Sequence, residues 1–180
     1  MSNKDELIQL LKNGFIDEFN ETRTFDQNKL LDLSEIDLRD SQITGANLSN
    51  ADLTGADFSE SELSNMDFSN SDLSSVDCKK AKLQNCNFIN ATLIGTKLNG
   101  AQITDCDFTD ADFSGTDLSE ADLGGSDLCS ALNLTACIFD GFTVWPEATN
   151  LPEDFETEYF NDLATLGDDE DDMFENDYAY

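Results

Sequence analysis

An all-β solenoid, a chain wound into a square coil, is the fold class this 180-residue sequence predicts, and three observations predict it. First, an apolar residue recurs at every fifth position from Leu33 to Leu128, twenty positions without a slip, running Leu33, Leu38, Ile43, Leu48, Leu53, Phe58 and onward. Second, two residues before each stands another series, in which sixteen of twenty are Ala, Ser, Thr or Cys, among them Ala46, Ala51, Ala56 and Ala111. Third, the remaining three positions of each five are almost wholly polar. A period of five fits neither an amphipathic helix at 3.6 nor a strand at 2.0. It fits a chain that turns a corner every five residues, so that four units close one square coil. One large and one small residue per side then fill a narrow axis. With neighbouring coils stacked at about 4.8 Å, the twenty units make about five coils, a rod roughly 24 Å long.

The flanks read as caps. Over residues 4–20, Leu7, Ile8, Leu10, Leu11, Phe15, Ile16 and Phe19 repeat at helical spacing, which predicts one short helix over the first coil. The inward series of that coil begins with the larger Leu31 and Ile36, as terminal units of a solenoid do. Past Leu128 the period falters at Asn133, with Ile138 as one last unit and Phe142 and Trp145 as plugs of the final coil. From Pro152 a second helix is expected: Pro suits its first turn, Glu153 and Asp154 its positive end, and Phe155, Tyr159, Leu163 and Leu166 share one face. The run DDEDDMFENDYAY after Gly167 has no packing pattern and reads as a disordered acidic tail. The expected organisation is therefore a helical cap over 1–30, the β-helix over 31–140, a plug and helix over 141–166, and the tail over 167–180.

Composition excludes several function classes. With 39 acidic and 9 basic residues the formal charge is −30, which repels nucleic acid and anionic membrane and favours a basic partner. No His is present, which removes the commonest metal ligand and the general base nearest neutral pKa. No signal-peptide pattern opens the chain and no apolar run reaches membrane-span length, so the expected location is cytoplasmic, where the five cysteines are reduced. Cys78, Cys86, Cys106, Cys129 and Cys137 form no CxxC pair. Cys86 and Cys106, twenty apart, face inward one coil from each other; small apolar filling and a redox clasp are the two readings. Serines at the turns (Ser49, Ser59, Ser69) have no base to activate them, and a convex rod offers carboxylates no cleft in which to shift a pKa. Gly45, Gly55, Gly95, Gly100 and Gly115 fall at corners and make no phosphate loop. Asp ladders without a wrapping loop hold calcium only diffusely. No enzyme activity and no cofactor are expected.

The units ANLSN, ADLTG, ADFSE, CDFTD, ADFSG and ADLGG resemble the pentapeptide-repeat family, whose consensus is A(D/N)Lxx, and the resemblance runs through residues 31–130. It implies a right-handed quadrilateral β-helix. The flanking stretches NGFIDEFNETR and FDGFTVWPEATNLPEDF look like those of cyanobacterial members. Within the family, quinolone-resistance and toxin-immunity members are acidic dimeric β-helices that resemble duplex DNA and occupy the DNA-binding saddle of DNA gyrase. Their dimers form through C-terminal helical elements, which implies a homodimer or partner-contact role here for Phe155, Tyr159, Phe160 and Leu163. This chain departs from those members in being shorter and in having no loops that interrupt the coils.

Charge placement suggests the function. The residue before each large apolar one is acidic at thirteen of twenty positions. With four units per coil, positions twenty apart stack, so Asp32, Asp52, Asp72 and Asp112 form one ladder, broken by Thr92, and Asp37, Asp57, Asp77 and Asp117 a second, broken by Lys97. Like charges about 4.8 Å apart repel by nearly 1 kcal/mol even in bulk water, and Asn satisfies the same pattern. Residues 31–130 carry a net −14, close to the charge of about 24 Å of duplex DNA. The expectation is a DNA mimic that competes for the basic surface of a DNA-handling protein, a topoisomerase such as gyrase among them. Plain solubility is the bland alternative. A scaffold or assembly factor, contacting its partner through the aromatic and acidic C-terminus (Phe174, Tyr178, Tyr180), is the reading from another class. Lys79, Lys80, Lys82 and Lys97 either form a contact patch or relieve repulsion along the rod.

Overall fold

The computed structural model describes residues 4–24, 30–153 and 155. The chain is a β-helix solenoid built on parallel pairing between residues twenty apart. Strands β1 (Leu31–Asp32) and β3 (Ala51–Asp52) pair Leu31 with Ala51. On another side, β2 (Gln42–Thr44), β4 (Glu62–Ser64), β5 (Lys82–Gln84) and β6 (Gln102–Thr104) form a four-stranded parallel sheet in that order. Single bridges with the same twenty-residue offset continue the stack on the other sides, from Asp37 with Asp57 to Asp112 with Leu132.

The core is the predicted one. All twenty large positions from Leu33 to Leu128 are no more than 4% exposed. The small series fills the space between them, and where it is polar it is satisfied from within: Ser61 Oγ donates to the Phe58 carbonyl at 2.6 Å, and Thr96 and Thr116 hydroxyls donate to Leu73 and Leu93 carbonyls at 2.7 and 2.8 Å. Phe68, Phe88 and Phe108 stack with ring centroids 4.8 and 4.7 Å apart, one ring per circuit.

Every fifth residue from Glu35 to Gly125 has positive φ, between 52° and 78°. That left-handed residue makes the corner. Gly, Asn and Asp adopt it at low cost, yet Glu35, Glu60, Lys80 and Glu120 also do. Four units leave the turn pattern and form the regular sheet, and their residue before the apolar position is Gln42, Glu62, Lys82 or Gln102 rather than Asp or Asn.

The N-terminal segment forms two helices where one is expected: α1 (Lys4–Lys12) and α2 (Ile16–Thr24). Gly14, at φ 73°, ends α1; its amide donates to Leu11 and that of Phe15 to Leu10, a Schellman closure. Leu7, Leu11 and Phe19 are buried with the solenoid core. The Asn20 side chain occupies an edge position, donating to the Gly45 carbonyl at 2.9 Å and accepting from the Asn47 amide at 2.8 Å, and the Arg23 guanidinium donates to the Ser49 carbonyl. These bonds occupy backbone groups that an exposed solenoid edge would leave open.

At the other end the pairing does not stop at Leu128. Leu132 pairs with Asp112 at an offset of twenty, Ile138 with Asp117 at twenty-one, and Val144 with Asp122 at twenty-two. One residue is inserted at the 3-10 turn Leu134–Ala136, one at the corner 140–143 and a third by the 3-10 turn Ala148–Asn150, where the Leu128 amide donates to the Asn150 carbonyl, and together they mask the period in the sequence. Three expectations are corrected here. Ile138 is not an inward unit: it is 57% exposed, and Leu134 and Cys137 point inward instead. Phe142 is no plug, at 78% exposed; Trp145 packs edge-on against Phe139 at 5.5 Å and tilted against Phe155 at 4.9 Å. The helix expected from Pro152 does not begin there: Pro152, Glu153 and Phe155 form a turn, with the Phe155 amide donating to the Pro152 carbonyl at 3.0 Å, and residues 156–180, which hold the rest of that expectation and the tail, lie outside the described residues.

The corners set a testable balance. A left-handed conformation costs an L-residue about 1–2 kcal/mol, of which glycine's larger unfolded entropy returns roughly 0.5–1. Glu60→Gly should therefore stabilise the solenoid by about 0.5–1 kcal/mol. Gly95→Ala should lose a similar amount, although its new Cβ would meet nothing nearer than Ser75 Oγ at 3.9 Å. Denaturant midpoints of the two variants check both signs.

Candidate functional site: the acidic faces

The twenty-residue register sorts the outward residues into four faces. The first carries Asp32, Asp52, Asp72, Thr92 and Asp112; the second Asp37, Asp57, Asp77, Lys97 and Asp117. The third carries Gln42, Glu62, Lys82, Gln102 and Asp122; the fourth Asn47, Asp67, Asn87, Asp107 and Asp127. Both ladders read from the sequence are thus in register, each member over the next.

Each ladder Asp has a structural task as well as a charge. Every Asp at this position accepts, through Oδ1, the backbone N–H two residues on, at 2.9–3.2 Å: Ser34 to Asp32, Thr54 to Asp52, Ser74 to Asp72, Ser114 to Asp112, and so through Cys129 to Asp127. This Asx turn bends the chain into the corner. Asn47 and Asn87 make the same bond through their own Oδ1, which is why the repeat accepts either residue. The turn uses one carboxylate oxygen and leaves the second to other partners, such as Arg39 at Asp37 and Lys97 at Asp77.

The cations separate the faces. On the second face, Arg39 clasps Asp37 through Nε and Nη2, both at 2.9 Å, and lies 3.6 Å from Asp57; Lys97 lies 3.5 Å from Asp77. The Arg39 hydrogen bonds hold Asp37 well below the usual carboxylate range. On the third face Lys82 donates to Glu62 at 2.7 Å and lowers its pKa. Two of the four lysines of the patch thus neutralise an acid one circuit away. All five basic residues of 31–130 (Arg39, Lys79, Lys80, Lys82 and Lys97) belong to the second and third faces. The first and fourth, which adjoin, have none. They hold nine acidic groups between them, including Asp67, Asp107, Asp110 and Asp127, which reading the two ladders alone leaves out. The signal was available: sorting basic residues by their remainder over twenty finds the sidedness.

Two first-face carboxylates have additional partners. Lys4 of α1 donates to Asp32 at 2.8 Å, and this bond, with those from Ser34, lowers the Asp32 pKa to about 2. Bonds from Ser114 and then Asn133 lower that of Asp112. Of the C-terminal candidates only Phe155 is described, and it is buried against Trp145; Tyr159, Phe160 and Leu163 lie outside the described residues. Cys86 and Cys106 are buried free thiols that bond to backbone carbonyls, and their mutual hydrogen bond, with burial, pushes the Cys106 thiol up. Among the described residues no group of His, Cys, Asp and Glu is arranged to hold a metal ion. No helix among them is long and apolar enough to cross a membrane.

The family model for pentapeptide repeats (8 copies) matches residues 36–74, 71–110 and 106–143. The chain belongs to the pentapeptide-repeat family. Members of this family are generally structural or interaction proteins. Among solved structures, the pentapeptide repeat protein Rfr23 from the cyanobacterium Cyanothece 51142 is 21% identical, with a TM-score of 0.62 over 72% of this chain and 98% of its own, and it shares the fold. A trypsin-treated variant of QnrB1, a plasmid-mediated fluoroquinolone resistance protein, is 13% identical over 68% of this chain and 76% of its own; its TM-score of 0.42 is too remote to bear on shape or role. No curated protein matches the sequence.

Two outcomes follow for the pentapeptide corners. Asp72→Asn should change stability by less than about 0.5 kcal/mol, because Asn keeps the turn bond, whereas Asp72→Ala should cost about 1 kcal/mol; paired urea titrations distinguish them. For Asp32, a folded pKa below the unfolded value contributes stability that is complete above about pH 4 and is lost as pH falls toward 2. Lys4→Met should move the Asp32 titration, followed by carboxyl NMR, up toward the ordinary carboxylate range and shrink that acid-sensitive contribution.

Proposed function

We propose that this protein is a non-enzymatic, cytoplasmic DNA mimic that competes for the basic DNA-binding surface of a DNA-handling protein, with a topoisomerase such as gyrase as the target class. The observation that carries the reading is the pair of adjoining faces to which residues 31–130 contribute no Lys or Arg, the Lys4 ion pair with Asp32 standing at their N-terminal end. Of their nine acidic groups Lys4 offsets Asp32, and the other eight along about 24 Å of axis give one charge per roughly 3 Å. A single DNA strand carries one per about 3.4 Å and the duplex one per about 1.7 Å. The corner where the two faces meet thus has the charge density of a phosphate row with part of its complement. Asp32, Asp52, Asp72 and Asp112 supply one row and Asp67, Asp107 and Asp127 the neighbouring one. Asp37, Asp57, Asp77 and Asp117 stand on the face where Arg39 and Lys97 offset them, so their share in binding is smaller. The architecture that serves this role is a right-handed quadrilateral β-helix of about five coils over 31–140, capped by the helices of 1–30, with 141–166 and the tail 167–180 at the far end. A homodimer through the C-terminal segment that follows Pro152 would lengthen the mimic.

The experiment is displacement of fluorescent duplex DNA from gyrase and from unrelated DNA-binding proteins at two salt concentrations. Salt-sensitive displacement from one of them is expected. Asp52, Asp72 and Asp107 changed together to Asn should weaken it on the order of tenfold. The matched change of Asp57, Asp77 and Asp117 to Asn should weaken it by less than about threefold. Equal loss from the two sets, with the fold intact in both, would refute the sided surface. Absence of displacement from every protein tried would turn attention to a scaffold role.

A further inference from the structure

Along the solenoid, the outward residue before each large apolar position is Asp, Asn, Gln, Glu, Lys or Thr until the final circuit. There the bridged outward residues become Leu132, Ile138 and Val144, which are 49%, 57% and 52% exposed. Leu132 stands on the first face. Ile138 and Val144 stand on the adjoining second and third faces, and Phe142, 78% exposed, lies in the corner segment between them. Nothing in the fold requires apolar side chains at these places: the same backbone bridges carry Asp117 and Asp122 one circuit below. Burial of three such side chains is favourable by about 25 cal/mol for each Å² removed from water, so leaving them exposed forgoes stability and solubility together.

Carboxylates rim this patch. Asp117 lies under Ile138 and Asp122 under Val144, while Asp140, whose Oδ1 accepts the Glu120 amide at 3.0 Å, places two more acids at the corner. Neither a second copy at −30 nor this chain's own residues 156–180, which hold ten acidic and no basic residues, suits that rim. We infer that Ile138, Phe142 and Val144 form a docking patch for a partner segment with apolar and basic side chains together, such as a cationic amphipathic helix. The patch lies at the opposite end of the rod from α1 and α2, and apart from the cation-free faces, so the inference is independent of DNA mimicry.

Trp145, the only tryptophan in the sequence, adjoins Val144 and serves as an internal reporter. The probe is a synthetic Leu/Lys amphipathic helix titrated into the full chain at high salt, where attraction to the rest of the acidic rod is screened. A saturable one-to-one change in Trp145 emission is expected. It should weaken about tenfold or more in the variant Ile138→Asn, Phe142→Ser, Val144→Asn. Asn at 138 and 144 is the residue that this turn position accepts elsewhere, and circular dichroism checks that the variant keeps the fold. A peptide of equal charge with Leu replaced by Ser should not bind at that salt. Equal affinity for variant and parent overturns the inference. So does the absence of binding to the parent, or a self-associated parent that the triple variant renders monomeric.

Discussion

The left-handed residue at every fifth position is the constraint on which the rest of the molecule depends. It turns the chain by one corner, four corners bring it back above itself, and the return makes residue i the neighbour of residue i+20 through backbone hydrogen bonds such as Leu33 N–H to the Asp52 carbonyl at 2.8 Å. Once that register holds, sequence distance converts into columns. Phe68, Phe88 and Phe108 become a stack of rings, Leu63, Leu83 and Ile103 a column in the core, and Asp52 and Asp72 a pair of charges one strand spacing apart. The cost is spread over many corners. Asn and Gly meet most of it, and Glu60 or Lys80 show that the stacked core tolerates the remainder.

The same carboxylate that carries the charge also builds the corner, which bears on how the acidity is interpreted. Because Oδ1 of each ladder Asp accepts a backbone N–H, a polar side chain with an acceptor at that length is a folding requirement, and the bare presence of Asp or Asn there says nothing about a partner. The choice between Asp and Asn is different, since Asn47 and Asn87 satisfy the turn without charge. Repulsion between stacked carboxylates makes Asn the better choice for folding alone. The second face relieves that repulsion with Arg39 and Lys97; the first face leaves Asp52 over Asp72 without a cation of its own. Two sides of one rod, built from the same repeat and bearing the same kind of strain, treat it in opposite ways.

The period-five core, the identity of its twenty large residues and the two ladders were legible in the sequence because every one of them is a consequence of a strict local rule. What was not legible lies where the rule is interrupted or where the signal is shared among distant units. The insertion after Leu132 shifts the offset from twenty to twenty-one, so Ile138 falls in phase by counting but points outward in space. Gly14 divides a continuous helical pattern in two because its left-handed backbone closes α1, a break that apolar periodicity alone does not register. The sidedness of the cations was present in the sequence but spread over positions such as Arg39, Lys79 and Lys97, and a list of acidic positions does not display it.

The two ends of the solenoid meet the same problem with different chemistry. A stacked coil must end, and its last backbone groups and core side chains must be covered. At the N-terminal end Asn20 and Arg23 bond to the backbone of the coil, while Leu7, Leu11 and Phe19 close the core, so both needs are met by α1 and α2. At the C-terminal end Trp145 and Phe155 cover the core, yet the outward positions of the final circuit are apolar where polar residues would serve the fold equally well. Residues that close a core should point inward, and Ile138, Phe142 and Val144 do not. Termination accounts for the buried side chains of α1 and α2 at the first end, but not for the outward apolar positions at the second. What it leaves over is a water-facing apolar cluster edged by Asp117 and Asp122, whose physical chemistry is that of an interface rather than of a cap.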